Sequence, residues 1–349
     1  MVRTHGPMII SFASQCYFLA AFLPHSSNLR TVWNPRLPLV LQTGLPEHWE
    51  AKPLTIEAPG HVHSVVFSSD GDHVLCGLHG GPIRIWGART RTNIRTLQDE
   101  GRGIWSIDIS PDGRTVVSGG RTDGNVRIWD AQTGACIASA EAHSNWVIAV
   151  AFSPDGRHAA SGLDDNTVAL WDLDDTEFRP AHVLEGHTDQ VTSVVFSHDG
   201  SHLLSGSEYK SCRVWNVKDR SHVRTLLHTS FVQAVSISPD DQTIACGCFN
   251  GSVYLWGKDG TSPYRVVESE DRCIWALDFS PNGHTLVIGS SGLITLWDTA
   301  SEAHLAKVEQ RASCLRFSPD GSHLVSCENN NVPIPLGESV GLLGLFLTT

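Results

Sequence analysis

The sequence predicts an all-β fold assembled from a repeated four-stranded unit. Three observations predict it. A turn of the type F-S-P-D-G recurs, with its serine at Ser68, Ser110, Ser153, Ser197, Ser238, Ser280 and Ser318, in steps of 38 to 44 residues. A tryptophan follows 17 to 19 residues after each of the first six serines, at Trp86, Trp129, Trp171, Trp215, Trp256 and Trp297. The two markers keep phase with one another, and a fixed period of roughly 20 to 50 residues is the signature of stacked repeats.

The unit around residue 150 shows each element in order. Val147, Val150 and Phe152 alternate along a first strand. Ser153-Pro154-Asp155-Gly156 then turns the chain: proline suits the first central position of a type I turn, and glycine accepts the left-handed conformation after it. A second strand runs from His158 to Gly162, Asp164-Asp165-Asn166 makes another tight turn, and Thr167 to Asp172 form a third strand. A fourth segment around Ala181 to Leu184 precedes Gly186-His187. Four short antiparallel strands cannot bury both faces of their sheet alone, whereas radially stacked sheets bury each other.

Composition narrows the function classes. Of 349 residues, 41% are hydrophobic and 18% charged, which fits a globular chain and excludes a disordered one. The net charge is −12 and no Lys/Arg cluster stands out, so no nucleic-acid partner is expected. The nine cysteines include no C-x-x-C pair and lack zinc-ligand spacing. No metal and no cofactor are expected; small buried thiols and a cytoplasmic location are. Residues 8–23, MIISFASQCYFLAAFL, are apolar, but Ser11, Ser14 and Gln15 dilute them and no small-x-small cleavage site follows. This stretch reads as a segment packing on the body of the protein. It is short for a membrane span, as is the apolar end of VPIPLGESVGLLGLFLTT, so no membrane span is expected.

The units resemble WD40 repeats, on Trp129-Asp130, Trp171-Asp172, Trp297-Asp298 and the full Gly186-His187. The resemblance covers roughly residues 53 to 335 and implies a β-propeller. It also implies a structural network of histidine, serine or threonine, aspartate and tryptophan in each blade. Only the third unit carries all four, as His143, Ser161, Asp165 and Trp171. The fourth has His187, Ser205 and Trp215 with Tyr209 in place of the aspartate, and the fifth has His228 and Trp256 with Cys246 and Asn250 between.

Six complete units plus a partial one predict a seven-bladed propeller with an incomplete last blade, closed by an N-terminal strand at Pro53 to Ala58. The third strand of that last blade aligns with Asn331 to Pro335, where Pro333 and Pro335 each remove a ladder donor. The expected organisation is an N-terminal linker or packing segment over 1–52, the propeller over 53–335 and an aberrant tail over 336–349. The tail reads as foreign to the ancestral domain, as a retained intron or a shifted frame would make it.

Catalysis is not expected. Asp70, Asp112, Asp155, Asp199 and Asp320 are turn residues, and His143, His187 and His228 are framework positions. There is no G-x-S-x-G and no H-E-x-x-H, and Gly251 to Asp259 fails the phosphate-loop spacing. A partner face is expected instead, where the loops before first strands meet the turns after second strands. One row holds His61, Gly103, Trp146, Gln190, Phe231, Cys273 and Arg311; the other holds His79, Thr122, Asp164, Glu208, Phe249 and Ser291. Trp146, Phe231, Gln190, Glu208, Phe249, His61, His79 and Arg311 are the candidate contacts for other proteins, with the aromatics as anchors. Trp105 and Trp275 lie two positions further along their strands.

The segment before the ring, FLAAFLPHSSNLRTVWNPRLPLVLQTGLPEHWEAKPLTIEA, resembles the region preceding the propeller in fungal NACHT-NTPase/WD-repeat proteins. That resemblance implies a recognition sensor detached from its nucleotide switch. The alternatives are a stand-alone adaptor, such as a ubiquitin-ligase substrate receptor, and a propeller enzyme or small-ligand binder. The sequence leaves the oligomeric state and the partner open.

Overall fold

Each repeat folds into a four-stranded antiparallel meander. A computed structural model describes residues 54–98, 103–141, 146–175, 178–260, 262–269, 273–327 and 341–347. These residues lie within one unit, Glu50–Leu347. Strand β1 (Leu54–Ala58) comes first. Blade 1 follows as β2 (Val62–Phe67), β3 (His73–Leu78), β4 (Ile83–Gly87) and β5 (Asn93–Leu97), and blade 2 as β6 (Ile104–Ile109), β7 (Thr115–Gly120), β8 (Asn125–Asp130) and β9 (Cys136–Glu141). Blade 3 is β10 (Val147–Phe152), β11 (His158–Leu163), β12 (Val168–Asp172) and β13 (Pro180–Leu184). Blade 4 is β14 (Val191–Phe196), β15 (His202–Ser207), β16 (Ser211–Asn216) and β17 (Ser221–Leu227). Blade 5 is β18 (Val232–Ile237), β19 (Thr243–Cys248), β20 (Ser252–Gly257) and β21 (Arg265–Glu268). Blade 6 is β22 (Ile274–Phe279), β23 (Thr285–Ser290), β24 (Ile294–Asp298) and β25 (His304–Val308). Three strands remain: β26 (Cys314–Phe317), β27 (His323–Cys327) and β28 (Gly341–Leu347).

The sheet topology corrects the expected seven-bladed ring with an incomplete last blade. Six blades, not seven, are units of four consecutive strands. The remaining sheet is composite and complete, in the order β1-β28-β27-β26. Its third position is held by β28, beyond the expected propeller end at 335, while Asn331 to Pro335 lies outside the described residues. The physical reason is backbone chemistry: GLLGLFL has an N–H at every position, and the proline-bearing stretch does not.

The first strand of each sheet lines a central channel, and these inner strands touch in cyclic order, with β26 returning to β2. As edge strands they present unpaired N–H groups, which must find acceptors. Side chains of the preceding blade supply them. Ser64 Oγ accepts from Ile107 N at 3.2 Å, Ser106 Oγ from Val150 N at 3.1 Å and Ser193 Oγ from Val235 N at 3.2 Å. Asp108 and Asp278 accept from Phe152 N at 2.7 Å and Phe317 N at 2.8 Å. Each apolar cluster spans two neighbouring sheets, as Val117, Val150 and Trp171 do for blades 2 and 3.

One position makes the blades stack closely. Gly77, Gly119, Gly162, Gly206, Gly247 and Gly289 face the next sheet's first strand, and a Cβ on any of them would lie 2.5–2.8 Å from Ile104, Val147, Val191, Val232, Ile274 or Leu315. The equivalent residue in the composite sheet, nine residues after Ser318 and opposite Cys314 in the β26–β27 ladder, is Cys327, fully buried.

The turns repeat one device. Each marker serine hydroxyl donates to the carboxylate or amide oxygen two residues on, as Ser153 does to Asp155 at 2.5 Å, and accepts from the N–H five residues on, as from His158 at 3.0 Å. The turn glycine has positive φ, +69° at Gly156; Asp241 takes that conformation in blade 5 and bonds His198 N at 2.7 Å and Asp199 N at 2.9 Å in return.

The blade network is partly assembled. Trp171 donates to Ser161 at 3.0 Å, and Asp165 accepts from Thr167 N at 3.1 Å, while His143 lies outside the described residues. Blade 2 pairs Trp129 with Ser118 at 2.8 Å. In blade 4, Ser205 Oγ meets both Trp215 (2.8 Å) and His187 (2.7 Å). Blade 5 has Cys246 where the serine would be, so Trp256 donates directly to His228 at 3.2 Å. In blade 1, where Cys76 replaces the serine, buried Trp86 Nε1 has no oxygen or nitrogen acceptor.

Candidate functional site

The two rows of candidate residues meet at one mouth of the channel. His79 N donates to His61 O at 2.9 Å, Asp164 N to Trp146 O at 3.1 Å, Glu208 N to Gln190 O at 3.2 Å and Phe249 N to Phe231 O at 2.9 Å. Blade 2 differs: Arg121, not Thr122, donates to Gly103 O at 3.0 Å. Its turn is one residue longer, so counting back from Asp123 misses the position. Arg311 stands just before the composite sheet's first strand, with its Nε buried and lacking a partner.

A second ring of side chains lies just inside. The ladder of each blade's first strand skips one residue: His63, Trp105, Ile148, Thr192, Gln233 and Trp275. Such bulges re-aim a side chain out of the pleat. All six are half-buried beside the rim. His63 and Arg121 were missed in the sequence because alternation along a strand does not report a bulge and because one turn is longer.

Three sectors result. Over blades 1 to 3, rings form a run: His79 on His63 (centroids 4.9 Å), His63 on Trp105 (4.8 Å) and Trp105 on Trp146 (6.1 Å). The Arg121 guanidinium lies 5.5 Å from the Trp105 centroid and 6.0 Å from that of Trp146, within cation–π range. Arg121 donates to His79 Nε2, and His79 Nδ1 and His63 Nε2 are 2.6 Å apart. Those contacts suit neutral imidazoles, with His79 donating from Nδ1. Burial, together with the charges of its neighbours, lowers His63 to about 3; burial and Arg121 also lower His79.

Over blades 3 and 4 the rim is acidic. Burial and repulsion from Asp165, Asp189 and Glu208 raise Asp164 above its ordinary value. Gln233 Nε2 donates to Glu208 at 3.2 Å. Over blades 5 and 6 it is apolar: Phe231, Phe249 and Trp275 pack in sequence at 6.1 Å per pair, and Trp275 Nε1 donates to Ser291 at 3.1 Å. Trp146, Phe231 and Phe249 remain 40–43% exposed, and Tyr209 on the same rim 63%. A cleft of about 450 Å³ between blades 3 and 4, lined by Trp171, Lys218 and Arg220, lies away from this mouth.

A family model described as the IFT122 first beta-propeller matches residues 104–332, and one described as the WD domain, G-beta repeat, matches residues 52–86. The chain belongs to the WD40-repeat propeller family that these models describe. The WD40 propeller is 31% identical over 117 residues to the small ribosomal subunit protein RACK1 of Schizosaccharomyces pombe, covering 30% of this chain and 37% of that protein. It is 28% identical over 117 residues to MST50-interacting protein 11 of Pyricularia oryzae, again 30% and 37%. It is 31% identical over 88 residues to the activating molecule in BECN1-regulated autophagy protein 1A of Danio rerio, 24% of this chain and 7% of that protein. The match thus spans 37% of the RACK1 proteins' length in both fungal cases. No helix among the described residues of the WD40 propeller is long and apolar enough to cross a membrane.

Proposed function

We propose that this propeller is a non-catalytic interaction module that holds a protein segment across the rim. One observation carries the proposal. Four large aromatics, Trp146, Tyr209, Phe231 and Phe249, stand exposed at the rim, while the other exposed large apolar side chains, such as Ile94, Ile137 and Val223, lie on outer strands or the loop leading to one. Exposed aromatics beside polar groups are what interface anchors require. The sectors specify the segment: an anionic side chain toward Arg121 and an apolar one toward Phe231 and Phe249. Trp146, Gln190, Glu208, His61, His79 and Arg311 complete the contacts. The name of MST50-interacting protein 11 supports an interaction role for a relative.

Panning a displayed peptide library on the wild type, with counter-selection on Trp146→Ala/Phe231→Ala, tests the proposal. Peptides pairing Asp or Glu with a large apolar residue should be enriched and should bind the double variant at least ~30-fold more weakly, at an unchanged melting temperature. Recovery of no variant-sensitive peptide from a folded variant pair would sink the reading, and unfolding of the double variant would make these aromatics a channel plug.

A narrower reading, the sensor half of a NACHT/WD-repeat protein, is supported by the resemblance of the segment preceding the ring, most of which lies outside the described residues. A stand-alone adaptor is the alternative, and a transcript read through both flanks separates them. A cytoplasmic setting goes with either, supported by the buried thiols Cys76, Cys212, Cys246, Cys248 and Cys327.

A further inference from the structure

The composite sheet carries two thiols face to face. Cys314 on β26 and Cys327 on β27 are directly paired in the ladder. Antiparallel neighbours have Cα atoms about 4.5–5.5 Å apart, inside the range of about 4.4–6.8 Å that a disulfide accepts. The ladder thus places the pair within the Cα range that a disulfide spans. Cys314 is half-buried, whereas Cys327 is fully buried. Ser313 Oγ lies 3.7 Å from Cys327 Sγ, and Cys314 Sγ lies 3.7 Å from Val65 O on the neighbouring blade.

The chemistry around the two sulfurs is unequal. Arg316 follows Cys314 by two residues and so shares its face of the strand. The neighbouring Cys327 thiol and the positive charge of Arg316 lower Cys314, and burial and the charge of Asp278 oppose them. The thiolate is the reactive form of cysteine. Other buried thiols move the opposite way: burial pushes Cys76 up to about 11 and Cys248 to about 12. Cys136 stands opposite Trp129, with no second cysteine across its ladder.

We propose that Cys314 and Cys327 are a peroxide-oxidisable pair, in which Cys314 is the attacking thiol and Cys327 resolves it as a cross-strand disulfide. In the first step the Cys314 sulfur attacks one oxygen of hydrogen peroxide. An S–O bond forms, the O–O bond breaks, and the departing hydroxide takes a proton to become water. In the second step the Cys327 sulfur attacks the resulting sulfenic acid; the S–S bond forms, the S–O bond breaks, and the oxygen leaves as a second water with the Cys327 proton. Two thiols lose two electrons, and one peroxide is reduced to two waters.

The test treats the full chain with one equivalent of hydrogen peroxide, blocks remaining thiols with N-ethylmaleimide, and maps the digested peptides. A loss of two hydrogens with a peptide joining Cys314 to Cys327 is expected. Cys327→Ser should leave the oxidation on Cys314, where dimedone captures it, and Arg316→Gln should slow wild-type bridging several-fold. Oxidation confined to Cys136 or Cys273, or a Cys212–Cys246 link in place of the expected one, would overturn the proposal on the wild-type chain alone, whatever the variants do.

Discussion

Six seams of this ring are built one way and the seventh junction another. At the regular seams a glycine of the second strand lies under the next blade's first strand, close enough that a Cβ would meet it at 2.5–2.8 Å. At the closing junction the same place is taken by Cys327, whose whole side chain is buried there. The difference teaches that close blade stacking is a backbone-level contact repeated wherever the sheet is made of consecutive strands. Where the sheet is composite, the same place holds a buried thiol.

The largest test of that contrast is steric. Gly162→Val should cost about 3 kcal/mol, because the new side chain meets Val191 on a neighbouring strand that cannot recede alone. Cys327→Ala should cost less than ~1.5 kcal/mol. Urea midpoints of the two variants, at unchanged slope, make the comparison; equal losses would erase it.

Acid should act next, and at the regular blades. His187 and His228 are held neutral by burial, each lowered to about 4. In the unfolded chain they take up a proton near their ordinary value of 6.5. Between these limits the unfolded state binds more protons, so stability is whole above pH 6.5 and falls as the pH drops toward 4. The loss should approach about 3 kcal/mol per histidine. Amide exchange followed over this window should show blades 4 and 5 loosening ahead of the composite sheet; uniform loosening would mean the ring responds as one body.

The smallest effect compares two tryptophans. Ser118→Ala removes the acceptor of Trp129 and should cost about 1–2 kcal/mol. Cys76→Ala in blade 1 should cost less in polar terms, since Trp86 Nε1 has no oxygen or nitrogen acceptor to lose there and a thiol is a weak one. Thermal midpoints of both variants check it.

The repeat was legible because serine, glycine and tryptophan at fixed spacing have single structural jobs: a turn hydroxyl, a left-handed residue and a buried indole. The rim pairs His61 with His79 and Phe231 with Phe249 were legible for the same reason, since phase places them. Three things were not. The strand Gly341–Leu347 lies past two prolines, and spacing alone cannot skip them. Arg121 is displaced by one inserted turn residue. His63 sits on a bulge, which breaks the alternation that a sequence displays.

The pairing of β1 with β28 has a mechanical consequence. Leu54 faces Leu345 and Ala58 faces Gly341, so the chain enters β1 and leaves β28 at the same end of the pair. Tension applied through the two flanks therefore loads one rung at a time, as in opening a zipper, and the contiguous blades bear none of it until that pair has peeled. The ring is soft to pulling along its own chain.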